Sequence, residues 1–144
     1  MHDAKLGADT TGEPLSICVI DLDFFKRFND QFDHLTGDLV LRTFAETVQA
    51  GLRTTDFFNR YGGEEFVQIL PGTAIEGPVA DAQRLRERVG SIQLPMPVTA
   101  STGRLTVSIG VAQYFPEEAI EQTFARADRA LYNAKQLGRD RAEC

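Results

Sequence analysis

The chain has only two cysteines among its 144 residues, Cys18 and Cys144, too few for a disulfide framework. It also lacks a long hydrophobic run. The longest strongly apolar stretch, Leu15 to Ile20, falls far short of the ~20 residues a membrane-spanning helix needs. Ahead of that stretch the N-terminus is polar and shows no signal-peptide pattern, so the expectation is a cytoplasmic chain, tethered to a membrane only through segments outside it. Basic residues are the minority, 15 Lys and Arg against 21 Asp and Glu, a net charge of −6. That excludes a surface built to wrap nucleic acid, which needs an excess of cations. It leaves room for a nucleotide site, where metal ions and a few local cations can meet the phosphates. There is no internal repeat, low-complexity tract or linker, and the length fits one domain with one sizeable core.

Residues 1–14, with Gly7, Gly12 and Pro14, read as a flexible polar lead-in to a domain over 15–144. Leu15 to Ile20 is apolar on both faces, the pattern of a central strand covered by helices, with Cys18 as a small core residue. Phe24 to Asp30 suits a short helix. Leu41, Phe44, Val48 and Leu52 mark an amphipathic helix over 37–53. Two strand-like runs, 57–61 and 66–70, flank Gly62–Gly63 as a β-hairpin. Pro78 fits the first turn of a helix carrying Ala82, Leu85 and Val89. Leu105, Val107, Ile109 and Val111 alternate as one face of a strand. Ile120, Phe124, Ala127, Leu131 and Ala134 form the stripe of a last helix, which Gly138 should end. The economical architecture is α/β: a single mixed sheet flanked by helices, with the hairpin on one side.

Asp21 and Asp23 follow the central strand. Acidic groups there are costly to desolvate unless paired or metal-bound, although many such pairs are helix caps or turn residues. Arg60–Tyr61–Gly62–Gly63–Glu64–Glu65–Phe66 puts two glycines and two carboxylates at a tight turn. This is either a solvated turn or a place where backbone approaches a ligand. Carboxylates from two adjacent strands can build an oxygen site for Mg²⁺. Lys135 and Arg139, around Gly138, either complement a helix dipole or clamp phosphate oxygens.

These blocks, in this order, resemble the GGDEF family. The likeness runs through Asp21–Leu22–Asp23–Phe24–Phe25–Lys26 with Asn29–Asp30, His34 and Gly37–Asp38, then the signature loop in its GGEEF form. It continues through Thr106–Val107–Ser108–Ile109–Gly110–Val111–Ala112, and through the Ala127–Lys135 segment with Gly138–Arg139. It implies a palm-like nucleotide cyclase fold and a diguanylate cyclase, which condenses two GTP into cyclic di-GMP with Mg²⁺ or Mn²⁺. It further implies a homodimer with one GTP on each subunit, and an upstream sensory domain in the full protein. Carried over by motif, Asp21, Glu64, Glu65 and the Leu22 carbonyl hold metal, with Glu64 and Glu65 as the catalytic pair. Phe24, Phe25, Lys26, Gly62, Gly63, Lys135 and Arg139 surround the GTP phosphates, while Asn29 and Asp38 read guanine. A carboxylate accepts from guanine N1–H and N2–H, a pattern adenine does not offer.

Arg53–Thr54–Thr55–Asp56, shortly before the hairpin tip, matches the family's product-inhibition site, and Arg84 is a candidate second arginine there. The Arg-x-x-Asp pattern is common elsewhere and acquires meaning from its offset. Two departures stand out. The family's usual Asp-x-Leu-Thr-Gly-Leu-x-Asn-Arg-Arg segment ahead of the first strand is not found, and Asp33 stands where the family has Gly. The rival function is a non-catalytic receptor for cyclic di-GMP or GTP, as degenerate members of the family are; the intact signature loop favours the enzyme.

Overall fold

The first strand is buried along its whole length, and the rest of the molecule is arranged around it. The computed structural model describes residues 2–93 and 104–144. Strand β1 (Leu15–Leu22) lies between β3 (Glu65–Pro71) and β4 (Val107–Gln113), antiparallel to both. β2 (Phe57–Gly62) extends the sheet beyond β3 as the hairpin partner. A three-residue β5 (Arg141–Glu143) pairs parallel to β4 on the other side, giving the order β2-β3-β1-β4-β5 in a mixed sheet.

Each face of the sheet has its own core. Ile20, Leu22, Phe66, Val107 and Ile109 pack against α3 (His34–Gln49) and α4 (Glu76–Gly90) through Phe44, Val48, Leu85 and Val89. The short α2 (Phe25–Gln31) closes this side through Phe25 and Phe28. On the opposite face Ile17, Val19, Val67 and Tyr114 meet Ala127 and Leu131 of α5 (Ile120–Gln136). Each large aliphatic or aromatic side chain buried in this way contributes about 1.5–3 kcal/mol. The α5 backbone comes so close to β4 that a Cβ at Gly110 would lie 2.0 Å from the Ala127 carbonyl oxygen and 2.3 Å from the Leu131 nitrogen. Gly110 is therefore what lets this helix lie on the sheet.

Three sequence expectations change. The lead-in contains a helix, α1 (His2–Thr11), whose Ala4 and Ala8 pack on the second core; Tyr114 Oη donates to Asp9 Oδ1 at 2.7 Å and holds it there. The last long strand is buried on both faces instead of one, because α5 covers the face that carries Ser108, Gly110 and Ala112. Finally, α3 begins at His34 and not near Gly37, because Asp33 caps it: its Oδ1 accepts from Thr36 N at 2.8 Å and from Thr36 Oγ1 at 2.6 Å. The Asp33 departure thus has a structural use.

Candidate active site

Alternation along β1 sends Ile17, Val19 and then Asp21 toward the α5 side of the sheet, so the run of core residues ends in a buried carboxylate. Across the sheet, Asp21 is in register with Glu65 on β3 and Ser108 on β4. The last turns of α5 bring Lys135 over it, and the Lys135 ammonium pairs with Asp21 Oδ2. Asp21 Oδ1 is buried with no hydrogen-bond partner. Burial pushes the Asp21 carboxyl up to about 6; Lys135 opposes that shift, and the negative charges of Glu64 and Glu65 add to it. A half-satisfied buried carboxylate beside two others is a site short of positive charge.

The hairpin tip is built around Gly63, with φ of +51°, and a register shift between Arg60 and Gly62. Arg60 Nε donates to the Gly63 carbonyl at 2.7 Å and ties the turn. No heavy atom other than its chain neighbours lies within 4 Å of where a Cβ would stand at Gly62 or Gly63, so the tip is open to an approaching molecule. The Leu22 N–H points to the Glu64 carbonyl at 3.5 Å, which brings the tip beside the end of β1.

Asp21, Leu22, Phe24, Phe25, Lys26, Glu64, Lys135 and Arg139 line one cavity of about 310 Å³, joined by Asp23 and Arg27. Asp23 is fully committed to the protein: it accepts from Ser108 Oγ at 2.6 Å, Thr106 Oγ1 at 2.8 Å and Asp140 N at 3.0 Å. It thereby fastens the end of β1 to the loop that carries Arg139. The sequence offered Asp23 a metal-binding or capping role together with Asp21; the signal for its actual partners was the pair of hydroxyls at 106 and 108.

The other expected residues do not line this cavity. Glu65 adjoins Asp21 through the sheet register alone. Asn29 packs on α3, where a Cβ at Gly37 would stand 1.9 Å from Asn29 Oδ1, and that oxygen is buried without a partner. The next residue, Asp38, is exposed and lines a separate cavity of about 460 Å³ with Leu41, Arg42, Phe58 and Arg60. Asp56 and Arg84 share a third cavity of about 150 Å³ under α4. Arg53 does not line it. Its guanidinium is drawn onto Asp56 at 2.8 Å, the Pro71 carbonyl at 2.9 Å and Thr73 Oγ1 at 2.6 Å, while Arg84 pairs with Asp81 at 3.3 Å.

Among the described residues no three His, Cys, Asp or Glu side chains converge as an enclosed metal cage. The donor chemistry nevertheless fits a hard divalent cation. Asp21 offers a buried, unpartnered carboxylate oxygen, Glu64 lines the same cavity, and the ligands present are oxygens. Mg²⁺ binding of this kind uses one or two carboxylates plus waters and substrate phosphates rather than a closed protein cage.

A palm-like mixed sheet with a carboxylate at the end of its central strand and a glycine-rich acidic hairpin beside it defines the nucleotide cyclase class of fold. The family model described as diguanylate cyclase, GGDEF domain, matches residues 3–141, and the chain belongs to that family. It is 43% identical over 132 residues to diguanylate cyclase DgcP of Pseudomonas aeruginosa, covering 92% of this chain and 19% of DgcP. The chain thus spans about a fifth of that relative's length. Among solved structures it is similar to the GGDEF domain of DgcB from Caulobacter crescentus in complex with c-di-GMP, with a TM-score of 0.90 and 36% identity over 98% of this chain and 83% of that one. It is also similar to the active GGEEF domain of a diguanylate cyclase from Vibrio cholerae, with a TM-score of 0.89 and 33% identity over 98% and 88% of the two chains. No helix among the described residues is long and apolar enough to cross a membrane.

Proposed function

We propose that this domain condenses two GTP into cyclic di-GMP, with release of two pyrophosphates. The observation that carries the reading is the meeting of the GGEEF tip with the end of β1: Asp21 and Glu64 share a cavity with Lys26, Lys135 and Arg139. Carboxylates able to hold a cation stand there beside cations able to hold a polyphosphate. The intact tip and the open backbone at Gly62 and Gly63 favour turnover over a purely receptor role.

In this reading the 3′-hydroxyl of one GTP attacks the α-phosphorus of the other. The new O3′–P bond forms as the bond to the bridging β-phosphate oxygen breaks, and pyrophosphate leaves; the same exchange in the opposite sense closes the ring. Asp21, Glu64 and Glu65, with the Leu22 carbonyl, are the groups that would hold Mg²⁺ or Mn²⁺. Such an ion, when bound, acidifies the attacking hydroxyl and neutralises charge on the departing pyrophosphate. Lys26, Lys135 and Arg139 orient the phosphates, and Lys135 is free to move from Asp21 to substrate once a cation satisfies that carboxylate. Asn29 and Asp38 select guanine: their unpaired polar groups would reject a base with the wrong edge. Catalysis here is positioning and electrostatics, with two copies of the domain each presenting one nucleotide face to face. A second ligand site under α4, with Asp56 and Arg84 and with Arg53 swung in from beside Asp56, takes product and lowers turnover. An upstream sensory segment would govern how the two copies meet.

The test is direct. Purified protein given GTP and Mg²⁺ forms cyclic di-GMP, and Glu64→Gln, which keeps shape and removes charge, loses at least ~100-fold of the rate with an unchanged circular dichroism spectrum. A Glu64→Gln protein as active as the parent would refute the assignment of the tip.

A further inference from the structure

Arg27 was not among the residues its sequence singled out, yet it lines the same cavity as Asp21, Glu64, Lys135 and Arg139. It comes from the first turn of α2, whereas Arg139 follows α5, so no spacing rule links them. What links them is Phe24. The Arg27 guanidinium carbon is 4.7 Å from the Phe24 ring centroid and that of Arg139 is 4.8 Å from it. Phe24 itself is 51% exposed, so its ring is open to the cavity it lines. Its backbone is left-handed, with φ of 59°, and Arg139 and Asp140 are left-handed as well, at 64° and 47°. Non-glycine residues held this way cost on the order of 1–3 kcal/mol each and gather at functional sites.

Neither guanidinium forms an ion pair among the described residues, although Asp21 and Asp140 have found cationic partners in Lys135 and Arg86. Two unpaired cations over one ring stand roughly 10 Å or less apart, about one Debye length, and repel each other. A cation–π contact at an exposed site returns only about 0.5–1 kcal/mol. In a chain of net charge −6 this arrangement calls for an anion between or above the two guanidiniums, and the cavity has room for one.

We propose that Arg27 is a further substrate-binding residue, which takes non-bridging oxygens of the substrate polyphosphate together with Arg139, on Phe24 as a shared platform. This rests on the reading of the cavity as a GTP site and extends it by one residue. A planar guanidinium meets two phosphate oxygens with a rigid pair of parallel N–H donors, a fixed geometry that the rotating donors of an ammonium lack.

The experiment measures affinity for a GTP analogue carrying a methylene between the α- and β-phosphorus, by calorimetry with Mg²⁺. Guanosine binding is followed alongside by ligand-observed NMR. Arg27→Ala should weaken the analogue about tenfold, the scale of one lost charge-assisted contact, while guanosine binding and the thermal midpoint hold. Arg27→Lys should fall between parent and Arg27→Ala. An analogue affinity within about twofold of the parent in Arg27→Ala overturns the assignment, as does an equal loss for analogue and guanosine, since either leaves no role at the phosphates. If the parent binds the analogue but forms no cyclic di-GMP from GTP, the condensation reading fails while the Arg27 result still stands or falls by its own affinity. If the parent does not bind the analogue at all, both fail.

Discussion

At the scale of single residues, which of the short-motif side chains lie together was the most legible part. Asp21, Glu64, Lys135 and Arg139 are far apart in the chain, and the motif reading expected all four at one phosphate and metal site; they line one cavity. What stayed hidden depends on through-space contacts that no spacing encodes. Arg27 acquires meaning from a ring shared with Arg139, and Asp23 from two hydroxyls more than eighty positions away. Gly110 is a third such case. It sits in a strand where glycine is normally a weakness, and its reason is the α5 backbone above it. Gly110→Ala should therefore cost about 1–3 kcal/mol, since the neighbours are backbone atoms and cannot turn aside. Because α5 also carries Lys135, GTP affinity should fall along with stability. Chemical denaturation and calorimetry on the same protein check both. A variant with the parent's denaturation midpoint would mean that α5 does not depend on that close approach.

At the scale of elements, length and periodicity decided what could be read. The long α3 and α5 declare themselves by period, and the hairpin by Gly-Gly between two apolar runs. The three-residue β5 has no pattern of its own; it exists because β4 offers an edge for Arg141–Glu143 to pair with. The helix α1 hides in a polar stretch with Gly7 inside it and Gly12 just past its end, and it is docked by tertiary contacts instead. Those contacts have a pH signature. Lys5 donates to Asp9 at 2.7 Å and Tyr114 Oη donates to the same carboxylate, and together they hold Asp9 below its ordinary value of 3.8. The Lys5 ammonium is pushed up to about 12, first by Asp9 and then by Tyr114. A depressed carboxyl supports docking fully above its unfolded value, and that support is lost as pH falls through the lower folded one. The raised Lys5 supports it below 10.5 and gives that up as pH climbs through about 12. Amide protection factors over α1 should thus drop on acidification below pH 3.8 while those of β1 persist. Asp9→Asn should show weak α1 protection at every pH. Equal acid sensitivity in parent and Asp9→Asn would remove the carboxylate from the explanation.

At the scale of the whole molecule, the sheet order places the cavity of about 150 Å³ under α4 and the GGEEF tip at different ends of one hairpin strand. The sequence conveyed that β1 was central, because only a doubly covered strand is apolar on both faces; the hairpin suggested a mixed sheet, but the parallel pairing that makes it mixed is that of β5 with β4. The sequence could not convey which cavity each arginine enters. Asp56 precedes β2 and Gly62 ends it, so the cavity under α4 and the GGEEF tip lie roughly 20 Å apart along the strand. If product binds under α4, its effect on the tip is a coupling between distinct sites and not a contest for one. Inhibition by cyclic di-GMP should then persist at saturating GTP. Arg84→Ala should raise the half-inhibiting concentration about tenfold or more, through the loss of a guanidinium able to grip phosphate or guanine on two atoms. Arg53 begins in a different state, with its guanidinium already held by Asp56, the Pro71 carbonyl and Thr73. It has to leave those partners to meet a ligand, so Arg53→Ala should raise that concentration by less than Arg84→Ala does. The measurement is initial rate against added cyclic di-GMP at several GTP concentrations, for the parent and both variants. Inhibition that excess GTP abolishes would move product binding to the catalytic cavity, and a larger effect at Arg53 than at Arg84 would show that the ion pair with Asp56 opens at little cost.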